Sequence, residues 1–91
     1  MYTIIYTNQF WKDVERCKKR NYNTQLFKDI LLLLEADKAL PLKHKAHKLI
    51  NNYSEHWECH IKPDWLLIWT KDEVKKEIHL IRMGTHSDLF K

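Results

Sequence analysis

Four residues in the second half of the chain, His60, Asp64, Arg82 and His86, have the side-chain types needed for proton-transfer chemistry on a phosphodiester. Cutting RNA without a metal requires a base to take the 2′-OH proton and an acid to protonate the 5′-oxygen leaving group. It also requires positive charge on the crowded phosphate. Histidine suits the first two tasks because its unperturbed pKa of roughly 6.5 lets it hold or release a proton near neutrality. A neighbouring carboxylate such as Asp64 can orient an imidazole, and the planar fork of arginine meets phosphate oxygens in pairs. Trp65 and Phe90 offer flat surfaces for an unpaired base, a contact worth roughly 1–3 kcal/mol per base in single-strand binders. Plainer readings stand beside these. An isolated His is commonly structural, Trp65 is more often core than platform, and Asp64 after Pro63 is ordinary turn chemistry. A zinc site built from His44, His47 and His60 is a further alternative, although their spacing matches no recognised ligand motif.

The elements that must position these residues follow from the pattern. Tyr2–Thr7 is β-branched and aromatic and predicts a strand, with Thr7 or Asn8 placed to cap a helix. Phe10, Val14 and Cys17 recur at helical spacing, while Lys12, Arg16 and Lys19 form a basic stripe that reads as a solvated face before direct RNA contact. Asn23 or Thr24 can start a second helix whose apolar face is Leu26, Phe27, Ile30, Leu31 and Leu34, ending near Asp37. Residues from Lys38 to Glu55 show no period and predict a long loop carrying Lys43, His44, Lys45, His47 and Lys48.

Three strands are expected after the loop. Trp57, Cys59 and Ile61 alternate with Glu58, His60 and Lys62, the period-two signature of a half-buried strand. Pro63-Asp64 makes a turn, Trp65–Trp69 reads as a central strand covered on both faces, and Lys76–Arg82 forms the last strand before Gly84 bends the chain. In a simple antiparallel meander the first strand ends at His60, the turn holds Asp64, and the third strand delivers Arg82 and His86 to the same edge. His60 lies opposite the apolar parity and can leave the core. Arg82 shares parity with Ile78 and Leu80, so it must escape burial through twist or fraying.

Composition narrows the function classes. The chain has 91 residues, which suits one domain spanning 1–91, with 44% hydrophobic residues, one Gly and two Pro. Its start lacks the features of a signal peptide, and its apolar runs are too short to span a bilayer, so a cytoplasmic protein without membrane contact is expected. Two cysteines, Cys17 and Cys59, predict buried free thiols rather than a disulfide scaffold. The formal charge of +4 favours nucleic acid or an acidic protein as partner.

Two segments carry a family resemblance. Glu58-Cys59-His60-Ile61-Lys62-Pro63-Asp64-Trp65-Leu66-Leu67-Ile68 and Arg82-Met83-Gly84-Thr85-His86-Ser87-Asp88-Leu89-Phe90 closely resemble the YafQ branch of the RelE/ParE toxin superfamily. The likeness extends over essentially the whole chain, including Leu40-Pro41-Leu42 and the His-x-Leu segment at His47–Leu49. It implies an α+β, RelE-like fold: an N-terminal strand and two helices packed on a twisted antiparallel sheet of about four strands. It also implies the toxin of a type II toxin–antitoxin pair that cuts mRNA in the ribosomal A site. By position, His47, His60, Asp64 and His86 resemble the acid–base set and Arg82 the phosphate-stabilising residue. Trp65 and Phe90, with Lys48 and Lys62, are the expected substrate contacts. No metal or other cofactor is implied. The implied partners are a DinJ-like antitoxin, the ribosome and mRNA, with operator DNA reached only through the antitoxin.

The chain departs from the family pattern around His47, where Asn51 stands in place of a glycine and Tyr53 in place of a tryptophan, and Trp57 stands where arginine is frequent. The competing function class is a non-catalytic toxin, degenerate or protein-targeting like the ParE relatives, and a third is a small zinc protein. Together His60, Asp64, Arg82 and His86 favour catalysis, because binding alone does not need that set.

Overall fold

The computed structural model describes residues 1–50 and 55–90, so the substitutions at Asn51 and Tyr53 lie outside the described residues. Thr3–Tyr6 forms β1, and Asn8–Lys19 forms α1. Thr7 caps α1 by accepting a bond from the Phe10 N–H, and its hydroxyl donates to the Leu80 carbonyl at 2.7 Å. Thr24–Glu35 forms α2, capped by the Asn23 side chain on the Gln25 N–H. A short 3₁₀ turn at Leu42–His44 and a two-residue strand β2, His47–Lys48, follow. Trp57–Lys62 is β3, Trp65–Asp72 is β4, Glu77–Gly84 is β5, and His86–Leu89 is the single turn α3.

The sheet runs β1-β5-β4-β3-β2. The expected meander β3–β4–β5 is antiparallel throughout, but the sheet has five strands and is mixed, because β1 pairs parallel with β5. The fifth strand is β2, which lies within the aperiodic basic stretch expected to be all loop. Two residues are too short to display a period.

Alternation in β4 divides the core. Trp65, Leu67 and Trp69 join Phe10, Val14, Cys17, Phe27 and Ile30 in the main cluster, under α1 and α2. Leu66 and Ile68 turn to the other face and meet Leu89, Leu49 and Ile81. Both faces of β4 are therefore covered, as the continuous apolar run predicts. The two cysteines are buried and free, as expected. Burial raises the Cys17 thiol, and burial with Glu58 beside it pushes Cys59 up to about 12.

One irregularity resolves the parity of Arg82. Ile68 pairs with Arg82 but Trp69 pairs with Leu80, so Ile81 is an extra residue in β5. Ile78 and Leu80 enter the main core before this bulge and Met83 after it. The bulge, not end fraying, releases Arg82 from the core parity.

Candidate active site

The face of the sheet turned away from α1 and α2 carries two cross-strand rows. His47, Glu58, Ile68 and Arg82 lie opposite one another in register across β2, β3, β4 and β5. His60, Leu66 and Gly84 form the next row, and His86 follows two residues beyond Gly84. The meander thus brings distant residues to one sheet corner.

Each of three imidazoles has its Nδ1 committed. His47 Nδ1 lies 2.7 Å from the Lys45 carbonyl oxygen, and His60 Nδ1 lies 3.1 Å from that of Pro63. A carbonyl oxygen only accepts, so in the neutral ring Nδ1 carries the hydrogen and Nε2 is left for proton exchange. His86 Nδ1 sits 2.6 Å from Asp64 Oδ1, and the same oxygen accepts the His86 backbone N–H at 2.9 Å. These bonds, the backbone one first, hold the Asp64 carboxyl below the usual carboxylate range. The His60 and His86 ring centroids are 5.9 Å apart, and His86 and Phe90 are 6.4 Å apart.

Glu58 was not singled out by sequence. It is 5% exposed, and its Oε1 faces His47 Nε2 at 3.4 Å and His60 Nε2 at 3.9 Å. Its signal was its shared parity with His60, which reads as solvent exposure until β2 is known to lie beside it. Asp13 was also missed. It stands at helical spacing among Phe10, Val14 and Cys17, and a carboxylate on a buried stripe demands charged partners. Arg82 is one of them, donating from Nε at 2.9 Å and Nη2 at 3.3 Å. Arg16 is another, at 3.0 Å, so this member of the basic stripe is a bridging residue and not part of a solvated face.

The corner bearing His86 is cross-braced. Thr85 and Asp88 form a reciprocal capping box on α3. Arg20 grips Asp88 with two bonds of 2.8 and 3.1 Å, Arg16 Nε lies 3.5 Å from it, and Arg16 Nη2 donates to the Met83 carbonyl at 2.9 Å. Arg20, and the cap bonds of Thr85 after it, hold Asp88 well below the usual carboxylate range. Gly84, the chain's one glycine, lies where a Cβ would come within 2.6 Å of Arg16 Nη2 and 2.8 Å of Asp88 Oδ2.

The remaining expected contacts divide. Phe90 is 44% exposed beside His86 and presents a ring. Lys48 and Lys62 are exposed, Lys48 over the Trp57 ring at 5.7 Å. Trp57 itself stacks on Trp69, so the position where arginine is frequent in the family is filled here by packing. Trp65 corrects the expectation. It is 3% exposed, on the helix side of β4, edge-on to Tyr22 and Phe27, and a ring so enclosed leaves no face for a base. His44 takes the His60 carbonyl through Nδ1 at 2.7 Å and supports the β3 backbone. The alternative zinc set is not assembled: among the described residues no three His, Cys, Asp or Glu side chains are placed to hold a metal ion.

With this geometry in view, the relatives can be named. A family model described as bacterial toxin of type II toxin–antitoxin system, YafQ, matches residues 2–91. The chain belongs to the YafQ toxin family. It is 34% identical over 88 residues to the mRNA interferase toxin YafQ of Escherichia coli strain B/BL21-DE3, covering 96% of this chain and 94% of that one. It is similar to the crystal structure of the E. coli DinJ–YafQ toxin–antitoxin complex, with a TM-score of 0.89, 32% identity and coverage of 99% of this chain and 98% of that one. A metal-bound toxin from Helicobacter pylori is similar at a TM-score of 0.93 and 32% identity, covering 99% of this chain and all of that one. The resemblance read from Glu58–Ile68 and Arg82–Phe90 is thereby established, and the α+β fold is that of the YafQ structures.

Proposed function

We propose that this YafQ-family chain is the toxin of a type II pair and an endoribonuclease that cuts mRNA in the ribosomal A site by histidine acid–base chemistry. The observation that carries the reading is the convergence of His47, His60 and His86, each with Nδ1 committed to an oxygen. The relatives' designation as mRNA interferases supports the enzyme class.

In the proposed step one imidazole takes the 2′-OH proton and the freed oxygen attacks phosphorus. The P–O5′ bond breaks, a second imidazole gives its proton to the departing 5′-oxygen, and a 2′,3′-cyclic phosphate remains. Asp64 fixes the tautomer and plane of His86, the Lys45 and Pro63 carbonyls do so for His47 and His60, and Glu58 lies beside the Nε2 atoms of that pair. Arg82 meets the charge developing on the phosphate. Phe90 stacks against a base, and Lys48 and Lys62 meet the flanking backbone.

The proposed partner is a DinJ-like antitoxin covering the basic toxin, with operator DNA contacted through the antitoxin. The proposed location is the cytoplasm, and no helix among the described residues is long and apolar enough to cross a membrane. The test separates the toxin from its antitoxin and maps cuts in mRNA under translation. His86→Ala is expected to lower cleavage roughly 10²- to 10⁴-fold. An unchanged cut pattern at unchanged rate removes the assignment. Metal-free chemistry also predicts that EDTA leaves cleavage of a minimal RNA at its original rate, whereas loss restored by one added metal would contradict it.

A further inference from the structure

Asp13 is the buried charged group that the proposed chemistry leaves unused. Its residue is 0% exposed, yet it accepts four hydrogen bonds and makes an ion pair besides. The bonds come from Arg82 Nε at 2.9 Å, Arg82 Nη2 at 3.3 Å, the Met83 backbone N–H at 2.9 Å and Gln9 Nε2 at 3.3 Å, and Arg16 Nη2 lies 3.0 Å away as the ion-pair partner.

The place of these bonds in the sheet is informative. β1 accompanies β5 as far as Tyr6 opposite Leu80, and there it stops. From there on, side chains spaced along α1 from its cap to its last turn serve the main chain of β5: Thr7 bonds the Leu80 carbonyl, Asp13 the Met83 N–H and Arg16 the Met83 carbonyl. Helix side chains thus stand in for a missing strand just where Ile81 bulges and Arg82 leaves the core.

Stability alone is a weak reason for this arrangement, because burying a carboxylate with guanidinium groups commonly gains little over apolar packing. Orientation is a stronger one. An arginine side chain sweeps many rotamers, and two bonds from one carboxylate fix both its direction and the plane of its fork. Such pre-orientation removes an entropic cost that would otherwise fall on the reaction.

We propose that Asp13 is a positioning residue for phosphate binding: it holds Arg82 by its Nε–Nη2 edge and aims the guanidinium at the scissile phosphate. The proposal rests on the reading of Arg82 as the phosphate-binding residue. The test is a double-mutant cycle of Asp13→Asn and Arg82→Lys, measured as single-turnover mRNA cleavage on programmed ribosomes below the melting temperature of each variant.

Asp13→Asn is expected to lower the maximal rate constant roughly ten- to hundredfold, the scale of a misplaced catalytic group. The toxin concentration at half-maximal rate is expected to move by less than about twofold. In the Arg82→Lys background the same substitution is expected to cost little more, because its route to the phosphate is already gone. An Asp13→Asn rate equal to wild type beside a crippled Arg82→Lys overturns this inference alone, and so do losses that multiply. An Arg82→Lys rate equal to wild type overturns the phosphate role of Arg82, and this inference with it. Should Asp13→Asn not fold, hydrogen exchange of the wild-type Arg82 Nε–H decides. Slow exchange supports a locked guanidinium, and exchange as fast as in an exposed arginine refutes it.

Discussion

The two ends of the proposed catalytic set are built differently. His86 stands on a corner tied by Asp13, Arg16, Arg20 and Asp88, with the cap of α3 and the end of β5 sharing the same side chains. His47 stands on a two-residue edge strand, held by one bond to the carbonyl of Lys45, whose φ of 48° is left-handed, and by a longer contact to Glu58. The proposed proton-transfer site thus joins a braced region to a lightly held one. The lesson is that proposed chemical role and mechanical importance separate along the sheet: the corner combines the two, whereas the edge carries little of the structure's bracing.

The sharpest way to break this comparison is Arg82→Ala against His47→Ala. Arg82→Ala takes a guanidinium from a buried carboxylate and is expected to cost about 3 kcal/mol, the low end for a broken buried pair because Arg16 still serves Asp13. His47→Ala is expected to lie within about 0.5 kcal/mol of wild type, as surface substitutions do. Chemical denaturation of both variants checks this, and equal losses of stability would erase the distinction.

A smaller effect is expected from Gly84→Ala. The added Cβ would lie 2.6 Å from Arg16 Nη2 and 2.9 Å from the Asp88 Cβ, so α3 or the arginine must shift. Overpacking of this kind costs about 1–3 kcal/mol. Because the displaced groups hold α3, cleavage is expected to fall with stability, measured as a rate beside a melting temperature.

The smallest effect concerns acid. Asp88 has a folded pKa below its unfolded value of about 3.9. Its contribution is therefore whole above that value and is lost as pH falls through the folded pKa. Asp37, Asp64 and Asp72 shift in the same direction, so the wild type is expected to lose stability progressively below about pH 4. Asp88→Asn is expected to be less stable at neutral pH and to show a shallower acid decline. Melting temperatures measured across that range decide it, and an unchanged slope would detach the corner from its charge network.

How much of this was legible in the sequence depends on range. Alternation through Trp57–Lys62 and the unbroken apolar run of Trp65–Trp69 placed the meander, and with it the meeting of His60, Asp64 and His86. Local patterns of that length survive folding because one face or both must be covered. The bulge at Ile81 was not legible, since nothing in the residue types around it demands an extra residue. The parallel pairing of β1 with β5, and the edge strand β2, were missed for a related reason: both are defined by whom they pair with. Trp65 was misjudged as a platform because an aromatic beside a turn reads the same whether it faces outward or inward. Asp13 was readable in principle, as a charge among Phe10, Val14 and Cys17, but its partners lie about 70 residues away, at Arg82 and Met83.

That separation has a consequence for the order of assembly. A chain that has formed only the β3–β4 hairpin already holds His60 and Asp64 near each other, but Arg82 is not yet aimed and His86 has no support. Closing the contact between α1 and the far end of β5 is a long-range event, the kind that folds late because a large loop must close first. Cleavage competence should therefore arrive with the last cooperative step of folding. A half-folded toxin, whatever its secondary structure, is expected to be chemically silent.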